Sequence, residues 1–196
     1  MRLATRLKKR LGRRIKDFYR KEKFVRGVKE DIIRIIKPIR SDIFSFSFSL
    51  STRCNLKCDF CPKTNLGLIK ETDIKPEVLE KIYELSSSTV ETVKILGIGE
   101  PLVYPNFLEV VENLKKHKAK VSFTTNAVLL NEKISKRLCE MNVDEIVFSI
   151  QGACRESHEK TKGGSKFDRV IKNVKILSTI KKELNKELPR LCINFV

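Results

Sequence analysis

No apolar run in this 196-residue sequence approaches the roughly 18 residues that a membrane-spanning helix needs. A signal-peptide pattern is missing too: Met1 to Arg14 is basic, but no continuous apolar core follows it. Histidine is scarce, and neither His117 nor His158 lies near the cysteines at 54–61. Acidic residues are in deficit, with 24 Asp and Glu against 41 Lys and Arg, a net charge of +17. That deficit is uneven. Residues 1–42 hold 16 Lys and Arg against 5 Asp and Glu, a net of +11, and the remainder carries +6. The basic character therefore belongs mainly to an N-terminal leader and says little about the rest. A composition of 41% hydrophobic and 33% charged residues reads as one soluble globular domain, long enough to bury a core. Six cysteines would frame disulfides in a secreted chain. Here three are clustered, while Cys139, Cys154 and Cys192 are scattered through core-like segments, Cys154 and Cys192 reading as small core residues rather than ligands. A reducing cytoplasm is the expected compartment.

In the leader, Leu3, Leu7, Leu11 and Ile15 recur at a helical period among Arg and Lys, and a second amphipathic segment from Val28 ends at Pro38. Such a segment packs its apolar side on its own domain, lies on an anionic membrane surface or a partner, or binds RNA by its phosphates. The first reading is the commonest and nucleic acid the least expected. Ile43 to Leu50 reads as a strand, with Phe44, Phe46, Phe48 and Leu50 alternating strictly with Ser45, Ser47 and Ser49. Helix and strand then alternate. Helices are expected from Pro76 (with Val78, Leu79, Ile82 and Leu85 on one side), over 105–117, 131–141 and 165–184; strands over 93–97, 120–124, 145–150 and 191–196. Five strands with four helical crossovers make a parallel α/β sheet with right-handed connections. Periodicity does not separate a partial barrel from a flat doubly wound sheet.

The densest chemistry is Cys54-Asn55-Leu56-Lys57-Cys58-Asp59-Phe60-Cys61. Three thiolates at this spacing wrap one soft metal centre, as in iron–sulfur proteins. No fourth cysteine follows at Pro62-Lys63-Thr64-Asn65. A cube-shaped [4Fe–4S] cluster on three cysteines leaves one iron without a protein ligand, the open position a catalytic centre keeps. Zinc on four protein ligands, or free thiols, is the plainer alternative. The loop begins just past the first strand, at the end where α/β folds build sites. Other strands also end in polar or glycine-bearing turns: Gly97-Ile98-Gly99-Glu100-Pro101, Thr124-Thr125-Asn126-Ala127, Phe148-Ser149-Ile150-Gln151-Gly152 and, later, Lys162-Gly163-Gly164. Each has an ordinary structural reading. Glycines form turns, Asn126 caps one through its own backbone, Lys162 is a solvated loop lysine and His158 a surface helix residue.

The cysteine triplet, with Phe60 before its last member, resembles the signature of the radical S-adenosylmethionine (SAM) enzymes, and the later turns resemble that family's motifs in order. The resemblance covers residues 44–196. It implies a partial (β/α)6 barrel, strands one to five of which are present here, with the end at Val196 reading as a truncation. It implies a [4Fe–4S] cluster on Cys54, Cys58 and Cys61 whose open iron chelates SAM. An electron then cleaves SAM to a 5′-deoxyadenosyl radical that abstracts hydrogen from a substrate. On this template Phe60 meets the adenine region, Glu100 and the Gly97–Gly99 backbone the amino group, Asn126 the family's Thr-Asn turn, Ser149 the ribose side and Lys162 the SAM carboxylate. Two positions depart from the pattern: Ile98 stands where a glycine usually sits, and Gln151 replaces an Asp. The motif style is similar to members with a C-terminal SPASM domain, which modify peptides, proteins or sugar-derived small molecules. A reductant such as flavodoxin or ferredoxin is implied. Competing readings are an iron–sulfur or zinc protein without SAM chemistry and an RNA-modifying member of the family. The modest charge of the core speaks against the latter.

Overall fold

The structure, a computed structural model, describes residues 45–195 apart from 68, 88, 89 and 118. The leader at 1–42, Ile43, Phe44 and Val196 lie outside the described residues. Strand β1 (Ser45–Phe48) retains the serine–phenylalanine alternation: its serines are exposed, Phe46 and Phe48 are half-buried, and Leu50 just beyond is buried. Next come β2 (Lys57–Cys58), α1 (Pro62–Leu66), α2 (Pro76–Ser86) and β3 (Thr92–Ile95). A short 3-10 turn (Pro101–Val103) leads to α3 (Phe107–Lys115), β4 (Lys120–Thr125), α4 (Glu132–Glu140) and β5 (Glu145–Ile150). The chain continues through α5 (Arg155–Thr161), β6 (Lys162–Gly163), α6 (Phe167–Glu183) and β7 (Arg190–Phe195).

Five strands pair in parallel in the order β1-β3-β4-β5-β7, with β1 and β7 at the two edges. Helices α2, α3, α4 and α6 lie in the expected crossovers, so this is a five-unit, open (β/α) arrangement. The central β4 is buried on both faces, as parallel strands are when covered on both sides. In β5 the alternation sorts the faces: Ile146, Phe148 and Ile150 are buried, whereas Ser149 opens into a cavity.

The helices close the core with stripes at helical spacing: Phe107, Val110, Val111 and Leu114 from α3, Leu138 and Cys139 from α4, Val170, Leu177 and Ile180 from α6. Phe107 meets Phe123 of β4 edge-on at 4.9 Å between ring centroids. Asn131 caps α4, its side-chain oxygen accepting from the Ile134 N–H at 2.9 Å. Buried Asn173 of α6 donates to the Ala127 carbonyl oxygen at 2.8 Å, which ties this helix to the turn after β4.

Several expectations are corrected. Val78 is exposed, so the inner side of α2 is Leu79, Ile82 and Ser86. The small antiparallel sheet β2–β6, which pairs Lys57 with Gly163 and Cys58 with Lys162, carries no periodicity in two-residue strands and was not anticipated. Nor was α1, opened by Pro62 directly after the last clustered cysteine.

Phe123→Ala removes a fully buried ring from the strand–helix interface. It should cost about 3–5 kcal/mol of stability, read as a lower urea midpoint at unchanged slope.

Candidate functional site

The strand ends converge. A cavity of about 520 Å³ is lined by Cys54, Cys58 and Cys61 with Phe60 from the loop after β1, and by Gly97, Gly99 and Glu100 from the turn after β3. Asn126 after β4, Ser149 at the end of β5 and Lys162 of β6 complete the wall. All ten residues singled out by the sequence thus border one space, whose volume lies within the range of small-molecule sites, about 300–1,000 Å³. A groove of about 580 Å³ along α6 is slightly larger but holds neither thiol nor imidazole.

Close backbone approach explains the glycines. A Cβ on Gly99 would stand 1.9 Å from the Ser51 carbonyl oxygen, and one on Gly97 2.6 Å from the Ser49 Cβ. The β3 turn therefore lies directly on the chain leading into the cysteine loop, and the Glu100 N–H donates to the Arg53 carbonyl at 2.8 Å. Glu100 itself is buried. Its carboxylate accepts from the Thr125 hydroxyl at 2.7 Å, the Asn126 N–H at 2.8 Å and the Leu102 N–H at 3.2 Å. Burial pushes its pKa up, and these three donors pull the other way.

Asn126 caps its own turn and also reaches the cysteine loop. Its side-chain oxygen accepts from the Val128 N–H at 3.0 Å, closing an Asx turn, while its amide donates to Asn55 Oδ1 at 2.9 Å and reaches within 3.9 Å of the Cys54 sulfur. Ser149 Oγ accepts from the Gln151 side-chain amide at 3.1 Å, which leaves the hydroxyl proton free to donate into the cavity. Burial raises the pKa of Cys54 and Cys58. The Leu56 N–H counters it at Cys54, and Lys162 counters it at Cys58.

Three assignments change. Lys162 is not a solvated loop lysine: it is 2% exposed, its ammonium donates to the Ser149 carbonyl, and burial lowers its pKa against the pull of Cys58, Glu100 and Cys54. His158 is not a surface residue but fully buried, its Nε2 2.9 Å from Ser165 Oγ and its ring beside Phe167. Cys154 is exposed and Cys192 half-buried, so neither is the small core residue expected of it, whereas Cys139 is buried. The cavity also gains residues not singled out, notably Thr125, Asn194 and the apolar rim of Leu96 and Ile98. Asn194 had a legible signal, as the one polar side chain between Ile193 and Phe195 in a strand.

The Radical SAM superfamily model matches residues 48–184. The chain belongs to the radical SAM superfamily. A probable GTP 3',8-cyclase from Methanococcus maripaludis is 31% identical over 160 residues, 79% of this chain and 50% of that protein. In fold the chain is similar to Streptococcus suis SuiB bound to the precursor peptide SuiA, with a TM-score of 0.64 at 23% identity, covering 88% of this chain and 37% of that one. It is also similar to anSMEcpe with bound AdoMet, with a TM-score of 0.61 at 24% identity, covering 78% of this chain and 43% of that one. The chain spans about half the length of the curated relatives it matches. No helix among the described residues is long and apolar enough to cross a membrane.

Radical SAM proteins use a [4Fe–4S] cluster and SAM, and the residues present fit that pair. Three soft donors share the cavity, none of Cys139, Cys154 and Cys192 borders it, and uncovered glycine backbone forms part of the wall. Among the described residues no three His, Cys, Asp or Glu side chains converge tightly enough for a single ion. The fit therefore rests on the soft donors and the shared space.

The radical SAM turn at Gly99 tolerates no side chain. Gly99→Ala should unfold the β3–cysteine-loop contact, with a far larger drop in melting temperature than Gly67→Ala. At Gly67, φ is +60° with nothing within 4 Å of an added Cβ, so the cost is the left-handed backbone alone, about 1–2 kcal/mol.

Proposed function

We propose that this chain is the core of an enzyme that cleaves S-adenosylmethionine reductively and uses the resulting radical on a substrate. The observation that carries it is three thiols, with no fourth cysteine, on one cavity beside bare glycine backbone. When bound, a [4Fe–4S] cluster supplies the electron that splits SAM into methionine and a 5′-deoxyadenosyl radical, which takes a hydrogen atom from the substrate. The chain's own work is to bind, orient and keep water out. Cys54, Cys58 and Cys61 ligate as thiolates, so loading releases protons that burial now holds on Cys54 and Cys58. Phe60, exposed at the cavity mouth, offers its ring to adenine. Backbone carbonyls of the Gly97–Gly99 turn accept from the SAM amino group. The Ser149 hydroxyl donates toward the ribose, and the Lys162 ammonium meets the carboxylate. Glu100, occupied by three donors, holds the glycine turn in place more than it contacts ligand. A flavodoxin- or ferredoxin-class donor supplies the electron.

For the substrate we favour a sugar-bearing small molecule, because the likeness to a probable GTP 3',8-cyclase is one of sequence. A peptide substrate is the second reading, and it rests on fold likeness to SuiB with its bound peptide.

Anaerobic reconstitution with iron and sulfide, followed by EPR of the reduced protein, tests the proposal. Adding SAM should change the signal and yield 5′-deoxyadenosine, and Cys58→Ala should lose both. A reconstituted centre indifferent to SAM would leave a binding protein without this chemistry. Ser149→Ala removes one ligand hydrogen bond and should weaken SAM binding about 5- to 10-fold without changing iron content, by the roughly 1 kcal/mol such bonds contribute.

A further inference from the structure

The smallest sheet of the fold places a cation against the cysteine loop. In the β2–β6 pair Lys162 lies directly across from Cys58. The two strands lie close together: a Cβ on Gly163 would stand 2.4 Å from the Lys57 carbonyl oxygen, so no side chain fits there, and the Asp59 N–H donates to the Thr161 carbonyl at 3.0 Å. Behind β6, the Ser165 N–H donates to the Lys162 carbonyl at 2.9 Å, and Ser165 Oγ meets the buried His158 ring. Lysines usually let the ammonium reach water. This one is buried in the wall of the cavity that Cys54, Cys58 and Cys61 share, and its ammonium donates to the Ser149 carbonyl. An ammonium has three hydrogens to donate, and among the described residues no ion pair includes Lys162. The buried carboxylate of the same cavity, Glu100, attracts the ammonium as well, but its own hydrogen bonds come from Thr125, Asn126 and Leu102 and it forms no ion pair with Lys162. A buried charge needs a counter-charge. Cys58 is directly across the strand pair, Cys54 and Cys61 border the same cavity, and all three become anions when they ligate a metal.

We propose that Lys162 is a positioning charge for the metal centre itself, its held ammonium offsetting the thiolates of Cys54, Cys58 and Cys61 and making the bound cluster easier to reduce. This rests on the cluster reading above. It differs from a contact with the SAM carboxylate because it acts with SAM absent. The step is a one-electron reduction by an external reductant, with no bond made or broken. The reduced centre carries one more negative charge, and a nearby cation in a low-dielectric wall favours that state. Net charge and hydrogen bonding at the sulfurs are recognised determinants of iron–sulfur potentials.

The test uses the full chain, reconstituted anaerobically as wild type, Lys162→Met and Lys162→Arg, with iron and sulfide counted in each. Midpoint potentials are read by EPR-monitored titration with dithionite in the absence of SAM, and SAM affinity is measured separately. Lys162→Met should weaken the one-electron reduction equilibrium about tenfold, a midpoint about 59 mV lower, and Lys162→Arg should restore most of it. A Lys162→Met centre with the wild-type potential but weaker SAM binding would overturn the proposal, leaving the charge to serve SAM alone. So would an unmoved potential with only a lower melting temperature, which would make Lys162 a strut for Ser149. Should Lys162→Met not hold iron, Lys162→Gln keeps a donor for the Ser149 carbonyl and carries the same expectation, and a wild-type potential there overturns it equally. A wild-type chain that takes up no iron overturns the cluster reading and this one together. A loaded centre with an unmoved potential overturns only this one.

Discussion

A buried carboxylate has to be satisfied, and the way Glu100 is satisfied organises the site. Its three donors come from two places in the chain: the Thr125 hydroxyl and Asn126 N–H at the end of β4, and the Leu102 N–H of its own turn. Unsatisfied, such a group would cost several kcal/mol or give up its charge. The turn after β3 is therefore locked to the end of β4. Its other side bears on the chain after β1, where Gly99 faces the Ser51 carbonyl and Glu100 N–H meets Arg53. Three strand ends are bound to one point, and Asn126 extends the bond to Asn55 inside the cysteine loop.

The rest of the architecture keeps that point in register. In a parallel sheet all strands end on the same side, so turns separated by tens of residues become neighbours without any long loop. The register of β5 with β7 sets Ser149 beside Asn194, and both border the cavity. The helices on the outside contribute apolar stripes and a few polar ties such as Asn173 to Ala127. They hold the strands, and among the described residues α2, α3, α4 and α6 place no side chain on the cavity wall. A polar, glycine-bearing rim on a rigid apolar frame is the arrangement in which a reactive ligand is oriented with little movement of the protein.

How much of this was legible depended on whether the signal was local. The spacing of Cys54, Cys58 and Cys61 is a property of eight consecutive residues, and so is the serine–phenylalanine alternation before it. Helix and strand periods placed four crossovers and five strands to within a few residues. Where burial was set by a distant partner, the reading went astray. Lys162 and His158 look like solvated residues of a charged segment, yet both are buried because β6 pairs with β2 and Ser165 folds back on the His158 ring. Cys154 and Cys192 look like core residues by type, yet they lie at the N-cap of a short helix and on an edge strand.

The sequence by itself determined the strand–helix alternation, the soft-donor triplet and the glycine-bearing turns, because each follows from side-chain periodicity, spacing or backbone freedom within a short window. Tertiary structure alone decided that all ten site residues border one cavity, that Glu100 is spent on holding turns together, and that a lysine a hundred residues from the cysteines stands across a strand pair from Cys58. The physical reason is that burial and hydrogen-bond partnership belong to pairs of segments, and no single segment encodes its partner.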